Sequence, residues 1–402
     1  MRHNFSWFGT IKRIRTVPIL SMKHIHSSFR MRCLLVFVTA FLLPAFLCAR
    51  DPQIITILIE RNQKSVNISS PDGMTAADMQ TGRRVLFPKG SSYRAEPAGV
   101  GVKIRGEMFG AMVRLIPAGE SVRVNGRAFR DSIILQTEGS LLSAINEIGV
   151  ESYLCGVLPR ELSPAWDEEA LKAQAVVSRT YIMANLGRFS KQGYDLTACE
   201  NSQVYGGLDC EQGSTSEAVR ATAGEVIKYR GDIARVYFHA DAAGHTESPE
   251  FVWGSSEPPP YLKGQREPVR EKTPYSSWEY EITFEEVARI LSQNGYKTGK
   301  IKRVVVKNKT GSGRVKNFMV YSASGKTEIK SGKFRTMLGG RNIKSTKINK
   351  IINGRKSVVF TGAGWGHGVG MSQWGAKELA EKGWNYKKIL RLYFPGTGIA
   401  KY

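Results

Sequence analysis

A glutamate set between two prolines is the first position in this sequence whose surroundings suit acid–base chemistry. In Leu158-Pro159-Arg160-Glu161-Leu162-Ser163-Pro164-Ala165-Trp166 the prolines restrict the backbone on both sides of Glu161, and Leu158, Leu162 and Trp166 offer apolar cover. Desolvation disfavours an ionised carboxyl, so a covered Glu161 would keep its proton closer to neutral pH, as a general acid must. An opposing effect is expected from the helix that follows. Its amino end lies just downstream, and a helix dipole there favours the ionised form by about 0.3–1 kcal/mol. Burial shifts a carboxyl by up to ~3–5 pKa units, so it prevails only in a largely dry site. A capping or surface-paired carboxylate is the ordinary alternative for such a residue.

Two further clusters combine small residues with polar side chains. Gln203-Val204-Tyr205-Gly206-Gly207 and His239-Ala240-Asp241-Ala242-Ala243-Gly244-His245-Thr246-Glu247 suit a cleft that hydrogen-bonds sugar hydroxyls, or polar loops with ordinary turn glycines. The histidines lack the i,i+4 spacing and intervening glutamate of a zinc protease. Gly362-Ala363-Gly364-Trp365-Gly366-His367-Gly368-Val369-Gly370-Met371-Ser372-Gln373-Trp374-Gly375-Ala376 is a glycine-rich loop entering a helix. It lacks the lysine and hydroxyl of a nucleotide P-loop, and no dinucleotide-type unit is present. Its glycines fit either close backbone approach to a flat ligand such as a sugar ring, or a tight structural turn.

The elements that must position these groups change character along the chain. From Gln53 to about Glu147 the pattern is that of strands. Residues 54–59 are an apolar run, residues 100–105 alternate with period two, and Val122-Arg123-Val124 before Asn125-Gly126 signals a hairpin with residues 132–135 as its return strand. From Glu151 the pattern is helical. Tyr153, Leu154, Val157 and Leu158 form a stripe ending at Pro159, and a strong helix runs from Asp167, its cap, to about Leu186, closed by Gly187. Further helices are expected at 215–222, 284–293, 372–382 and 385–393. Residues 226–229 and 234–239 are expected to be strands about the turn Arg230-Gly231-Asp232. The fold class is therefore α+β. Residues 51–147 read as a β-rich N-terminal region, and 148–402 as a mixed helix-and-sheet catalytic domain that includes a basic, β-containing insertion at about 275–360.

Charge is distributed unevenly over the 402 residues. The chain holds 58 Lys+Arg against 35 Asp+Glu, a formal +23, yet residues 297–356 alone carry 18 basic side chains and a single acidic one, Glu328. These lysines interleave with Val304, Val306, Phe318, Val320 and Ile329, the pattern of strands with one wet face. Attraction to an anionic cell envelope or a plain solvated face both account for them. Few aromatics accompany them, and a nucleic-acid partner is not expected. With 42% hydrophobic residues the chain is globular, not disordered.

Arg30 and Arg32 precede an apolar run from Cys33 to Ala49, so residues 1–50 read as a secretory signal peptide or an uncleaved membrane anchor with an upstream extension. Of the remaining cysteines, Cys199 and Cys210 could pair in an oxidising compartment, and Cys155 reads as a buried, unreactive thiol.

The motifs together resemble one family. Residues 146–181, with V-E-S-Y-L-x-G-V-L-P-x-E-L and A-L-K-A-Q-A-V-V-S-R-T-Y, are similar to the signature of the stage II sporulation protein D family, also called the amidase-enhancer LytB family. S-Q-V-Y-G-G, A-V-R-A-T-A-G-E-V-I, G-H-T-E and the closing G-W-G-H-G-V-G-M-S-Q-W-G-A extend the likeness in the family's order over about residues 55–400. The resemblance implies a lytic transglycosylase acting on peptidoglycan glycan strands, in one branch on strands already stripped of stem peptides. It places the catalytic role on Glu161. It nominates Lys172, Arg179, Gln203, Tyr205, His239, Thr246, His367 and Gln373 as groups for holding the glycan. A partner amidase and, through an uncleaved N-terminus, the membrane are the further partners implied. Some members bind zinc through a His-Cys pair just before the Gln-Val-Tyr motif and a further upstream Cys. Asn201-Ser202 stands here in place of that pair, so neither metal nor other cofactor is expected.

Overall fold

The computed structural model describes residues 53–402 apart from Ser256 and Arg270; the proposed signal or anchor segment lies outside the described residues. Two sheets make up the β-rich N-terminal region. The larger has seven strands in the order Leu196–Thr197, Ile54–Gln63, Leu141–Gly149, Ser132–Glu138, Met112–Pro117, Met74–Asp78, Arg84–Phe87. The smaller has six, in the order Arg127–Arg130, Ser121–Val124, Val66–Ser69, Ser92–Ala98, Gly101–Ile104, Glu107–Phe109. Alternation puts Ile55, Ile57, Val113, Leu115, Ile133 and Leu135 of the first sheet into one core with Val66, Ile68, Val102, Ile104, Val122 and Val124 of the second.

The Asn125-Gly126 turn forms as the sequence suggests, with φ of 49° and 85° at its two residues. Its return strand is Arg127–Arg130, however, and not residues 132–135. Asp131 adopts φ 60° and ends that hairpin, and Ser132–Glu138 crosses to the larger sheet, between Met112–Pro117 and Leu141–Gly149.

The strand Leu141–Gly149 runs straight into α1 (Val150–Glu161). Its buried residues Tyr153, Leu154, Val157 and Leu158 belong to the sandwich core, so the β-rich region and the first helix share one interior. The buried stripe ends at Leu158 as expected, but the helix does not stop there; Pro159 lies inside α1, close enough to the carboxyl end that only the last turn feels its missing N–H. Next comes α2 (Glu168–Ala184), whose cap Asp167 accepts from the Glu169 N–H at 2.8 Å; Asn185, not Gly187, closes it. Then follow α3 (Gly213–Ala221), α4 (Pro249–Val252), α5 (Phe284–Gln293), α6 (Ser331–Leu338), α7 (Gln373–Glu381) and α8 (Tyr386–Tyr393).

A second core joins α2, α7 and α8 through Ala173, Val176, Val177, Leu379, Ile389 and Leu390. The third belongs to the basic segment. There the antiparallel strands Ile301–Lys309, Val315–Ser322 and Gly325–Lys330 turn Val304, Phe318, Val320 and Ile329 inward with Val287 and Leu291 of α5 and Phe334 of α6. Most of their lysines face outward, as the interleaving required. No helix among the described residues is long and apolar enough to cross a membrane.

Candidate active site

Glu161 is the last residue of α1, so the helix dipole acting on it is opposite in sign to the one expected from the sequence. The nearest dipole end is the negative carboxyl end of its own helix, not the amino end of α2, and this disfavours the charged form. The carboxyl is half-buried. Burial raises its pKa, opposed by hydrogen bonds from the Val204 N–H and the Gln373 side chain. Val204 N–H donates to Oε1 at 3.4 Å. Gln373 in turn donates through Nε2 to Gln174 Oε1 at 3.4 Å, and Gln174 donates to Ser178 Oγ at 3.0 Å. A buried chain of polar groups from α2 through α7 thus ends on the carboxyl.

The segment carrying Val204 reaches Glu161 because Gly156 lets it lie on α1. A β-carbon at 156 would stand 2.6 Å from the Tyr205 ring, and the Gly206 N–H donates to Gly156 O at 3.1 Å. Gln203, next to Val204, is 1% exposed, and neither its amide nitrogen nor its oxygen has a partner. A buried amide left unpaired on both atoms costs several kcal/mol, so a ligand or ordered water is the natural occupant beside it.

Glu161 opens on a cleft of about 520 Å³ lined also by Tyr181, Arg188, Gln203, Tyr237, Trp253 and His367. Trp253 is 49% exposed, its ring 4.7 Å from Tyr237 and 5.1 Å from His367. His367 accepts the Val369 N–H on Nδ1 at 3.0 Å, which leaves its proton on Nε2. Burial, then Arg335 and Arg314, push it down to about 3 against a backbone hydrogen bond at Phe238, so the ring is neutral over the working range. His239 lies 5.5 Å away, ring to ring, and is buried; its Nδ1 bonds to Val369 O at 3.1 Å, and Nε2 has no partner. Burial lowers its pKa also.

Close protein packing accounts for glycines of the glycine-rich loop. A β-carbon at Gly366 would stand 2.7 Å from His239 Cβ, and one at Gly368 would stand 2.7 Å from Arg314 Nε. Of the loop's side chains, His367 is the one that lines this cleft.

The family described as stage II sporulation protein, SpoIID, matches residues 138–229, the span that holds α1, α2 and Gln203. An uncharacterized protein of Brachyspira hyodysenteriae is 33% identical over 272 residues, 64% of this chain and 68% of the relative. This chain belongs to the SpoIID family. The amidase enhancer of Bacillus subtilis is 31% identical over 62% of this chain, a match that spans 40% of that relative's length. Stage II sporulation protein D of Bacillus subtilis is 29% identical over 64% of this chain and 76% of the relative. Residues 258–370 match a domain of unknown function.

Within the SpoIID-matching span the nominated residues part company. Glu161 and Gln203 meet at the cleft. Lys172 pairs with Glu168 at 2.6 Å and Glu169 at 3.0 Å along α2. Arg179 is completely buried and grips Glu151. Tyr205 donates to Asn146 Oδ1 at 2.9 Å inside the sandwich core. Beyond that span His367 lines the cleft and Gln373 bonds Glu161, whereas Thr246 exchanges hydrogen bonds with the Gln265 backbone. Sequence reasoning missed Gln174, Tyr237 and Trp253. Gln174 alone carried a signal, a glutamine amid the small and apolar residues of α2.

The Cys199–Cys210 pairing is not made: both thiols are free. Cys199 is exposed with Sγ 3.4 Å from Thr197 Oγ1, and Cys210 ends a short turn packed against Gly206. The zinc of some SpoIID proteins does not fit here either, since Asn201 and Ser202 offer neither thiolate nor imidazole beside Cys199.

Proposed function

We propose that this protein is a peptidoglycan lytic transglycosylase that cleaves the bond between N-acetylmuramic acid and N-acetylglucosamine, on strands stripped of stem peptides. The observation that carries this reading is the desolvated Glu161 at the cleft, its pKa raised by burial while Val204 and Gln373 fix its orientation. Protonated Glu161 donates to the glycosidic oxygen as the muramic C1–O bond breaks. The muramic C6 hydroxyl oxygen then bonds C1, its proton passes to the Glu161 carboxylate, and a 1,6-anhydro end results. No water is consumed, so the second carboxylate of an ordinary glycosidase is not needed. The other carboxylate of the cleft, Glu200, is exposed and engaged with Arg341 at 3.3 Å. The unpaired Gln203 amide offers hydrogen bonds to sugar groups, and Trp253 with Tyr237 and the neutral His367 ring offers a wall for a pyranose face.

The family name and the relatives named for sporulation and for amidase enhancement support a cell-wall setting. On this reading residues 1–50 export or anchor the protein, residues 51–147 are a scaffold, and residues 148–402 hold the chemistry.

Incubating the purified protein with peptide-free glycan and assaying anhydro-muramic ends by mass spectrometry tests the proposal. Wild type should yield them, and Glu161→Gln should lower the rate by at least ~10²–10⁴ while still binding glycan. Retained turnover in that variant removes Glu161 from the mechanism. A second reading is favoured by the relative named amidase enhancer: a glycan-binding partner that stimulates an N-acetylmuramoyl-L-alanine amidase. It takes over if no anhydro ends form while an added amidase is accelerated.

A further inference from the structure

Within residues 258–370, which match a domain of unknown function, one hairpin tip packs against the G-W-G-H-G loop of the same segment and against the G-H-T-E loop that precedes it. The tip, residues 310–314, joins the strands Ile301–Lys309 and Val315–Ser322. Two of its hydroxyls hold the buried Glu247: Thr310 Oγ1 donates to Oε2 at 2.6 Å and Ser312 Oγ at 2.8 Å. The Glu247 N–H in turn donates to Gly368 O at 2.7 Å. Arg314 reaches deeper. It is completely buried and donates through Nη2 to Ala242 O at 2.8 Å, and its guanidinium lies where a side chain on Gly368 would be. The loop is also held from its amino-terminal side: Ala363 N–H donates to Lys347 O at 3.0 Å, Ser345 Oγ to Ala363 O at 2.5 Å, Gly364 N–H to Tyr275 O at 2.7 Å and Gly366 N–H to Lys344 O at 2.9 Å.

This arrangement is costly by ordinary standards. Arg314 Nε and Nη1 have no partner, and although Glu247, Glu267 and Asp241 lie within Coulombic reach, none forms an ion pair with it. An apolar side chain would fill the same volume without that penalty. What an apolar group cannot do is fix Ala242 O from beneath while pressing a rigid plane on the Gly368 backbone. Gly368 directly follows His367, and Ala242 follows Asp241, whose backbone exchanges two 3.0 Å hydrogen bonds with Trp365 on the other side of His367.

We propose that Arg314 is a positioning residue: through Gly368 and Ala242 it sets the 366–369 turn, and so the orientation and tautomer of His367. This rests on the cleft being the glycan site, but its primary readout does not.

The experiment uses the full chain with imidazole ¹⁵N labelling. In wild type, His367 should give the NMR signature of a neutral ring protonated at Nε2, with Nδ1 accepting the Val369 N–H. In Arg314→Met that signature should collapse towards mixed tautomers, and exchange of the Val369 amide should speed at least tenfold. With peptide-free muramic-containing oligosaccharide as probe, KM should rise at least tenfold while kcat stays within about threefold, because the Glu161 wall is untouched. Arg314→Lys should restore part of each effect. If Arg314→Met does not fold, the double variant Thr310→Val with Ser312→Ala loosens the same hairpin tip and should shift the His367 signature in the same sense. An unchanged tautomer and unchanged amide exchange in a folded variant overturn the proposal. Should wild type bind no glycan, the reading of the cleft fails while the imidazole spectra still decide the role of Arg314.

Discussion

Arg179 and Arg314 are both completely buried, and they illustrate two ways of using an interior cation. Arg179, in the SpoIID-matching span, satisfies its whole fork. Nε and Nη2 meet Glu151 at 2.8 and 2.7 Å, Nη2 also meets Val219 O at 3.2 Å, and Nη1 meets Glu225 O at 3.1 Å. It knits α1, α2 and the end of α3 into one body. Arg314, in the segment of unknown function, keeps a single hydrogen bond, and burial pulls it down to about 10. The contrast separates stability from placement. A saturated cation is what a scaffold requires, and an undersupplied one is tolerated where it fixes a particular loop.

Removing each fork in turn separates the two roles. Arg179→Met leaves Glu151 with the Gly224 N–H alone and the Val219 and Glu225 carbonyls without their buried donor, and should cost about 3–5 kcal/mol in urea unfolding. Arg314→Met removes one charged hydrogen bond but also relieves desolvation, and should cost no more than about 1.5–3 kcal/mol. Equal losses would erase the distinction. Between these and the surface lies Glu161, whose raised pKa carries a sign that can be checked. Below the unfolded-state pKa the carboxyl is protonated in both states and contributes nothing. As pH rises towards the folded-state pKa, the unfolded chain ionises first and stability falls. The loss is at most about 1.4 kcal/mol for each tenfold difference between the acidity constants of the two states. Glu161→Gln should therefore match wild type in thermal midpoint near pH 3.5 and exceed it at pH 8; a lower midpoint at pH 8 contradicts the burial argument. The smallest effect is expected at Lys172, whose ammonium is engaged with Glu168 and Glu169. Lys172→Met should change stability by about 0.5 kcal/mol or less and leave glycan affinity unaltered in titration calorimetry.

Much of the architecture was readable where local chemistry decides it. Asp167, Ser372 and Asn385 cap α2, α7 and α8 within a residue of the expected starts, and Phe284–Gln293 was delimited in full. Glu161, singled out by its flanking prolines, lines the cleft. Local reasoning failed where a distant element takes over. Residues 132–135 carry the pattern of a hairpin return strand, but the left-handed Asp131 sends them to the other sheet. The dipole at Glu161 was assigned the wrong sign because Pro159 looked like a stop, when a proline this near a helix end costs little. Nor could the glycines of residues 362–370 disclose that their neighbours would be Arg314 and His239. Arg179 and Tyr205 were nominated for a ligand, and the fold uses them in the interior.

One feature of α1 constrains how this protein can change. Its final residue bears the carboxyl, and its body is locked into the sandwich core, where Tyr205 packs on Gly156. Successive residues of an α-helix are offset by about 100° around the axis. Losing or gaining one residue between Gly156 and Glu161 would swing the acid to another quadrant of the helix while every β-strand stayed in place. The helix can accept many side-chain exchanges along its length; what it cannot accept is a change in the count.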